Sequence, residues 1–297
     1  MPERLPAELV GAILQEAVEL FVASDRHTAV SIALTARFVY QLVRPILFRR
    51  LVMTHQNEAE IERLLRRNEI NDLVLDLCFT QSVWNPGPIA SAFTQLRCIR
   101  GYQDPVVNVL TGLSPSSQFT LHKLQLWRLL PISGLNIPPS VTHLCLFNPE
   151  IDIPSSELAA AVAAWAAAIP ALTHLGLELV VLVDADSSDD ARLEPEPEEL
   201  ARGLEMAIQA SGEHLQQLSI RLCASVSESW WQRLLDALQV RTRESSTGLK
   251  MAQKIRLWRD ERVPTNLHED LVQSAEYFRG GIDVWSEGRP LSEFQRR

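Results

Sequence analysis

Leu121-His122-Lys123-Leu124-Gln125-Leu126 returns as Val141-Thr142-His143-Leu144-Cys145-Leu146, as Leu172-Thr173-His174-Leu175-Gly176-Leu177 and as Leu215-Gln216-Gln217-Leu218-Ser219-Ile220. The phrase is an apolar residue, two others, Leu or Ile, one other, and a closing apolar residue. A further copy reads Ile70-Asn71-Asp72-Leu73-Val74-Leu75, a weaker one starts at Phe93, and another ends in Lys254-Ile255-Arg256-Leu257. Successive starts lie 23, 28, 20, 31, 43 and 37 residues apart. Alternation within each phrase predicts a short strand with one apolar face. The segments between phrases read as helices. Leu158, Val162, Trp165 and Ile169 share a face after a cap at Ser155 or Ser156 and stop at Pro170. Leu200, Leu204 and Ile208 do the same before Ser211-Gly212, and Trp231, Leu234, Leu235 and Leu238 after Ser227. Strand, turn and helix in repetition predict an α/β fold with a parallel sheet and helices on the outside. A doubly wound α/β domain is the other arrangement of such units. It normally opens on a Gly-rich turn, and this chain has only 12 Gly, none in a G-x-G-x-x-G phrase.

The phrase resembles the strand half of a leucine-rich repeat. In that family an Asn or Cys stands three residues after the last Leu, where Cys78 and Cys223 fall. The resemblance implies an irregular arc over 53–297, with parallel strands inside and the Leu side chains in the core. The intervening residues then face the hollow in three rows. The first is Asp72, Lys123, His143, His174, Gln217 and Lys254. The second is Gln125, Cys145, Gly176, Ser219 and Arg256. The third is Asp76, Trp127, Phe147, Glu178, Arg221 and Trp258. Lys123, Trp127, His143, Phe147, His174, Arg221, Lys254 and Trp258 are therefore the expected contacts for a target protein. Trp127 and Phe147, beside basic and imidazole groups, have the composition of a binding hot spot. The alternative is that Trp127, Phe147 and Trp258 are covered by loops as core. His143, Cys145 and His174 come together on adjacent strands, but no fourth ligand accompanies them, so no metal is expected.

The N-terminal segment, 1–52, has its own character. Pro6 suits the first turn of a helix. Leu9, Ile13, Leu14, Ala17 and Leu20 follow at helical spacing. Ser24 or Asp25 can cap a second helix bearing Val30, Ala33, Leu34 and Phe38, and Arg44-Pro45 is expected to break or restart the chain. Ile46, Leu47 and Leu51 form a third apolar piece. Three short helices bury little surface by themselves. They pack on the rest of the chain as a cap, or they offer an apolar face to a partner.

The order of Leu5-Pro6-Ala7-Glu8-Leu9, a small apolar middle segment and Arg44-Pro45-Ile46-Leu47-Phe48-Arg49 resembles an F-box. With the repeats, the whole resembles the F-box, leucine-rich proteins numerous in fungi. The resemblance implies substrate recognition for a cullin–RING ubiquitin ligase, with a Skp-type adaptor and cullin complex as partners and no active site or cofactor. Carried over by position, the adaptor-binding residues are Leu5, Pro6, Leu9, Ile13, Leu34, Val39 and Pro45. The other reading is a repeat scaffold that binds a protein but recruits no ligase.

Composition agrees with a protein-binding role. The net charge of −9 disfavours nucleic acid. Residues 183–199 hold eight carboxylates against Arg192 alone and, with Pro195 and Pro197, read as a solvated loop. The four cysteines, Cys78, Cys98, Cys145 and Cys223, lack C-x-x-C spacing and sit in apolar runs, which suits reduced thiols in the cytoplasm or nucleus. The apolar stretch from Leu158 to Val183 is split by Pro170 and carries His174 and Glu178, so no membrane span is expected. No nucleophile elbow, H-E-x-x-H, phosphate loop or paired-cysteine motif is present, and no enzyme activity is expected.

Overall fold

The computed structural model describes residues 6–80, 90–113, 120–127, 137–148, 160, 164–165, 167–181, 197–211, 215–224, 228–244, 254–260, 285 and 288–296. Leu5 and most of the acidic segment lie outside them. Among the described residues the chain is mixed α/β, with seven α-helices and a nine-stranded, mostly parallel sheet.

The chain opens with α1 (Ala7–Ser24), α2 (Arg26–Ala33) and α3 (Arg37–Arg49). Asp25 caps α2, accepting from the Thr28 backbone N–H at 3.2 Å and from its hydroxyl. Val18, Ala29, Ala33, Val39, Val43 and Leu47 make a small core between these helices. Two expected boundaries move. The second helix ends at Ala33 rather than running to Phe38, where Thr35 turns back and its hydroxyl donates to the Ile32 carbonyl at 2.7 Å. The break expected at Arg44-Pro45 does not occur, because Pro45 lies inside α3. Proline leaves the carbonyl four residues earlier without its helical donor. Gln41 and Pro45 are both exposed, so water can satisfy that carbonyl.

Strand β1 (Arg50–Met53) follows α3 directly, so the sheet begins three residues before the boundary expected at 52/53. Next come α4 (Glu58–Arg66), β2 (Asp76–Phe79), β3 (Cys98–Tyr102) and α5 (Gln103–Gly112). They are followed by β4 (Lys123–Trp127), β5 (His143–Asn148), β6 (His174–Val181) and α6 (Pro197–Ser211). Then come β7 (Gln217–Ala224), α7 (Glu228–Glu244), β8 (Ile255–Asp260) and β9 (Arg289–Pro290), with a final 3-10 turn at Leu291–Arg296. Pro197, Glu198 and Glu199, assigned from sequence to the acidic loop, form the first turn of α6, where carboxylates favour the helix N-terminus.

The strands stand in the sheet in chain order. The first eight are parallel, and β9 runs antiparallel to β8. A doubly wound sheet reverses its strand order at a switch point; this one does not. Leu77, Ile99, Leu124, Leu144, Leu175, Leu218 and Ile255 are register partners from β2 to β8. They join Ile61, Leu65, Val106, Leu110, Leu200, Leu204, Trp231, Leu234 and Leu238 of the helices in one core. Each such side chain contributes about 1.5–3 kcal/mol by leaving water. Helices α4 to α7 therefore lie on one face of the sheet, and the other face is left for different chemistry.

The register corrects two phrases. The strand expected within 70–75 lies at Asp76–Phe79, so the phrase is Val74-Leu75-Asp76-Leu77-Cys78-Phe79. Ile70 instead closes a turn, accepting from the backbone of Leu73 at 3.0 Å and Val74 at 3.3 Å. Asp76 consequently moves from the third row to the first, Asp72 leaves the sheet, and Cys78 stands within a strand. Likewise the copy placed at Phe93 is Leu96-Arg97-Cys98-Ile99-Arg100-Gly101. A copy missed in the sequence, Phe48-Arg49-Arg50-Leu51-Val52-Met53, forms the first strand.

Candidate functional site

Two surfaces bear on function. The first is the outside of the N-terminal helices. A globular fold normally buries Leu, Ile and Phe, and clustered exceptions carry information. Among the described residues the exposed large apolar side chains are Leu9, Ile13, Leu20, Phe21, Val30, Leu34, Phe38 and Tyr40 on these helices, with Met206 and Val240 elsewhere. Ile13 is 51% exposed and Leu34 74%. Of the residues carried over as adaptor contacts, Pro6, Leu9, Ile13, Leu34 and Pro45 are exposed. Val39 is the correction: it is buried against α1 and α2. The signal was legible, since Val39, Val43 and Leu47 recur at i, i+4 and i+8 and mark the inward stripe of α3. Where the helices meet the sheet, Glu19, Val22, Ile46, Arg49 and Arg50 line an open cavity of about 220 Å³.

The second surface is the sheet face opposite the helices. Its first row is Arg50, Asp76, Cys98, Lys123, His143, His174 and Gln217. The second is Val52, Cys78, Arg100, Gln125, Cys145, Gly176, Ser219 and Arg256. The third contains Tyr102, Trp127, Phe147, Glu178, Arg221 and Trp258. The register brings the expected target-binding residues except Lys254, which precedes β8, onto this face but does not leave all of them open. Trp127 is 1% and Phe147 2% exposed. They pack with Val52, Cys78, Cys98 and Tyr102 in a second apolar cluster, with Tyr102 edge-on to Trp127 at 5.2 Å. The covered alternative is therefore the one observed for both aromatics. Arg221 is buried as well. Lys123, His143, His174, Lys254 and Trp258 remain half-buried.

The chain itself supplies part of the cover. Trp285 is buried against Cys145. Its ring receives the Lys123 ammonium at 5.2 Å and the edge of His143 at 5.0 Å, and its backbone carbonyl accepts from Gln217 Nε2 at 2.8 Å. Beneath it His143 and His174 stack with centroids 4.1 Å apart and planes within 5°. Each imidazole Nδ1 is joined to the hydroxyl of the preceding threonine, Thr142 at 2.8 Å and Thr173 at 2.9 Å. Among the described residues no group of three or more His, Cys, Asp or Glu side chains could hold a metal ion.

Farther along the strands the face is charged and dry. Arg221 Nη1 donates to Glu178 Oε2 at 2.8 Å, and Cys145 Sγ donates to Glu178 Oε1 at 3.5 Å. Burial pushes the Glu178 carboxyl up. The charges of Arg221 and Arg100 and the two hydrogen bonds overcome it, so the group titrates below the ordinary glutamate range. At the other end burial pushes the Asp76 carboxyl up despite Arg50 Nε at 3.4 Å. Arg100 and Tyr102 were missed in the sequence because the phrase at Phe93 was set three residues early.

Among the described residues no helix is long and apolar enough to cross a membrane. No protein-family model matches the chain, and no curated protein matches it.

Proposed function

We propose that the chain is the substrate-recognition adaptor of a Skp–cullin–F-box ubiquitin ligase. The N-terminal helices dock on the Skp-type adaptor, and the strand face of the repeat region holds a target protein. The observation that carries this reading is the concentration of exposed Leu9, Ile13, Val30, Leu34 and Phe38 on helices that already have a core of their own. A cap that only sealed the repeats would turn those side chains inward. The order of the motif, from Pro6 to Pro45, supports the same assignment. The reaction is one of proximity: a target held on the same body as the adaptor site meets the charged conjugating enzyme at high effective concentration. Target contact falls to the half-buried Lys123, His143, His174, Lys254 and Trp258 rather than to Trp127 and Phe147.

Co-purification with a Skp-type adaptor tests the assignment. The wild-type chain retains the adaptor, and Ile13→Asp with Leu34→Asp abolishes retention while the fold stays intact. A folded wild-type chain that retains no adaptor leaves the scaffold reading in its place.

A further inference from the structure

Among its described residues the sheet face opposite the helices holds a buried guanidinium nitrogen, Arg100 Nε, with no hydrogen-bond partner. Arg100 on β3 and Gln125 on β4 are register partners in the second row. Trp127 lies two residues beyond Gln125 on the same face. Arg100 is 4% exposed and Gln125 7%. Arg100 Nε, Gln125 Oε1 and Trp127 Nε1 are all buried and have no hydrogen-bond partner among the described residues. Nine such atoms occur among the described residues, and these three stand in adjoining positions of one sheet face. Neighbouring strands stand about 4.8 Å apart and same-face residues about 7 Å apart, so one small group can reach all three. The Arg100 guanidinium lies 5.9 Å from the Trp127 ring centre, which fixes it over the aromatic wall.

Charge narrows the class of ligand. Among the described residues the buried Arg100 guanidinium has no ion-pair partner, the buried Glu178 carboxylate being paired with Arg221 at 2.8 Å. Glu178 already takes its hydrogen bonds from Arg221 and Cys145. A buried charge without a directly bonded counter-charge is costly. A single negative charge balances one guanidinium, whereas a phosphate, close to two charges, exceeds it.

We infer that Arg100, Gln125 and Trp127 form a receptor for a carboxylate that carries a neighbouring N–H or O–H. The guanidinium and the indole N–H donate to the carboxylate oxygens, and Gln125 Oε1 accepts from the neighbouring donor. Such a group belongs to a small α-substituted acid or to the C-terminus of a polypeptide. The inference does not rest on the ligase reading, since no N-terminal residue takes part.

The test uses the full chain, with N-acetylglycine as the small acid, N-acetylglycinamide as its neutral analogue, and a hexa-alanine peptide with a free or an amidated C-terminus. Binding is followed by calorimetry and by the shift in Tm. A rise in Tm with N-acetylglycine but not its amide identifies a small-acid site. A rise only with the free-acid peptide identifies a chain terminus. Arg100→Met is expected to abolish both responses. Arg100→Lys keeps the charge but loses the fork, and weakens binding about tenfold or more. It carries the test where Arg100→Met yields no folded protein. No response to either acid in the wild type, or an undiminished response in a folded Arg100→Met, overturns the inference.

Discussion

Arg221 and Glu178 form an ion pair at 2.8 Å with both side chains buried, on adjacent strands at directly paired positions. Replacing Arg221 by Met leaves Glu178 in a dry site with the Cys145 hydrogen bond and the more distant charge of Arg100. The expected loss is about 3 kcal/mol of stability, read by urea denaturation. Replacing both, Arg221→Met with Glu178→Leu, is expected to recover much of that loss. A single mutant as stable as the wild type would show that the pair contributes nothing.

The same pair sets a pH dependence. The Glu178 carboxyl titrates below its ordinary range in the folded chain. A group whose folded pKa is depressed contributes stability above its unfolded value and loses it as pH falls through the folded one. Stability is therefore expected to decline on acidification below the ordinary glutamate range. Glu178→Gln should flatten that part of the curve while lowering the plateau at neutral pH. Denaturation midpoints of the two proteins from neutral to strongly acid pH measure the difference.

Gly101 on β3 has φ +143°, and a Cβ there would meet the Phe79 carbonyl oxygen at 2.5 Å. Only glycine takes this backbone conformation without strain, and backbone atoms on the neighbouring strand cannot yield as a side chain can. Gly101→Ala is expected to destabilise the chain by about 2 kcal/mol or more. Adaptor retention in the protein that remains folded should be unchanged, because the proposed adaptor site is on the N-terminal helices. A Tm equal to the wild type's would contradict the geometry.

On the proposed assignment, outer and inner residues of the N-terminal helices separate binding from stability. Ile13 and Leu34 project outward, so Ile13→Asp and Leu34→Asp should each change stability by no more than about 0.5 kcal/mol. Val43 is fully buried between the helices, and Val43→Asp places a carboxylate in that small core. It should unfold the unit, seen as loss of helical circular dichroism and greater protease sensitivity. Substitutions at Ile13 that unfold the unit as Val43→Asp does would show that the outer face is structural.

The strands were legible where an apolar residue, a Leu pair and intervening residues of the opposite sheet face coincide, as in β4 to β7. They were not legible where the apolar residues continue past one phrase. Ile70, Leu73, Leu75 and Leu77 permit two frames, and alternation cannot choose between a turn and a strand in so short a run. A finer signal was present. Thr120, Ser140 and Thr173, each just ahead of a strand, donate their hydroxyls to the Leu96, Leu121 and Thr142 carbonyls of the preceding repeat at 2.9, 2.6 and 3.2 Å. Thr80 does so to Met53 at 3.0 Å from the end of β2. The frame of Pro45 was misread because its consequence depends on whether Gln41 meets water, which a single sequence does not state. The burial of Trp127 and Phe147 depends on what lies over the strands, and Trp285, far along the chain, is part of that layer.

Trp285 supplies the last prediction. Its ring lies against Lys123, His143 and Cys145, while its carbonyl, which any residue would retain, holds Gln217. Trp285→Ala removes the ring and keeps the backbone contact, so the loss reports on the indole alone. Truncating a buried tryptophan costs about 3–5 kcal/mol in a core, and this edge site should fall toward the lower figure. Trp285→Phe keeps an aromatic face for the Lys123 ammonium and an edge contact for His143, and should restore more than half of the loss. Urea denaturation ranks the three proteins, and the ring resonances of His143 and His174 should shift in Trp285→Ala and much less in Trp285→Phe. An alanine variant with wild-type stability and unmoved imidazole signals would mean that this ring does not cover the inner face in solution, and that the first row stands open.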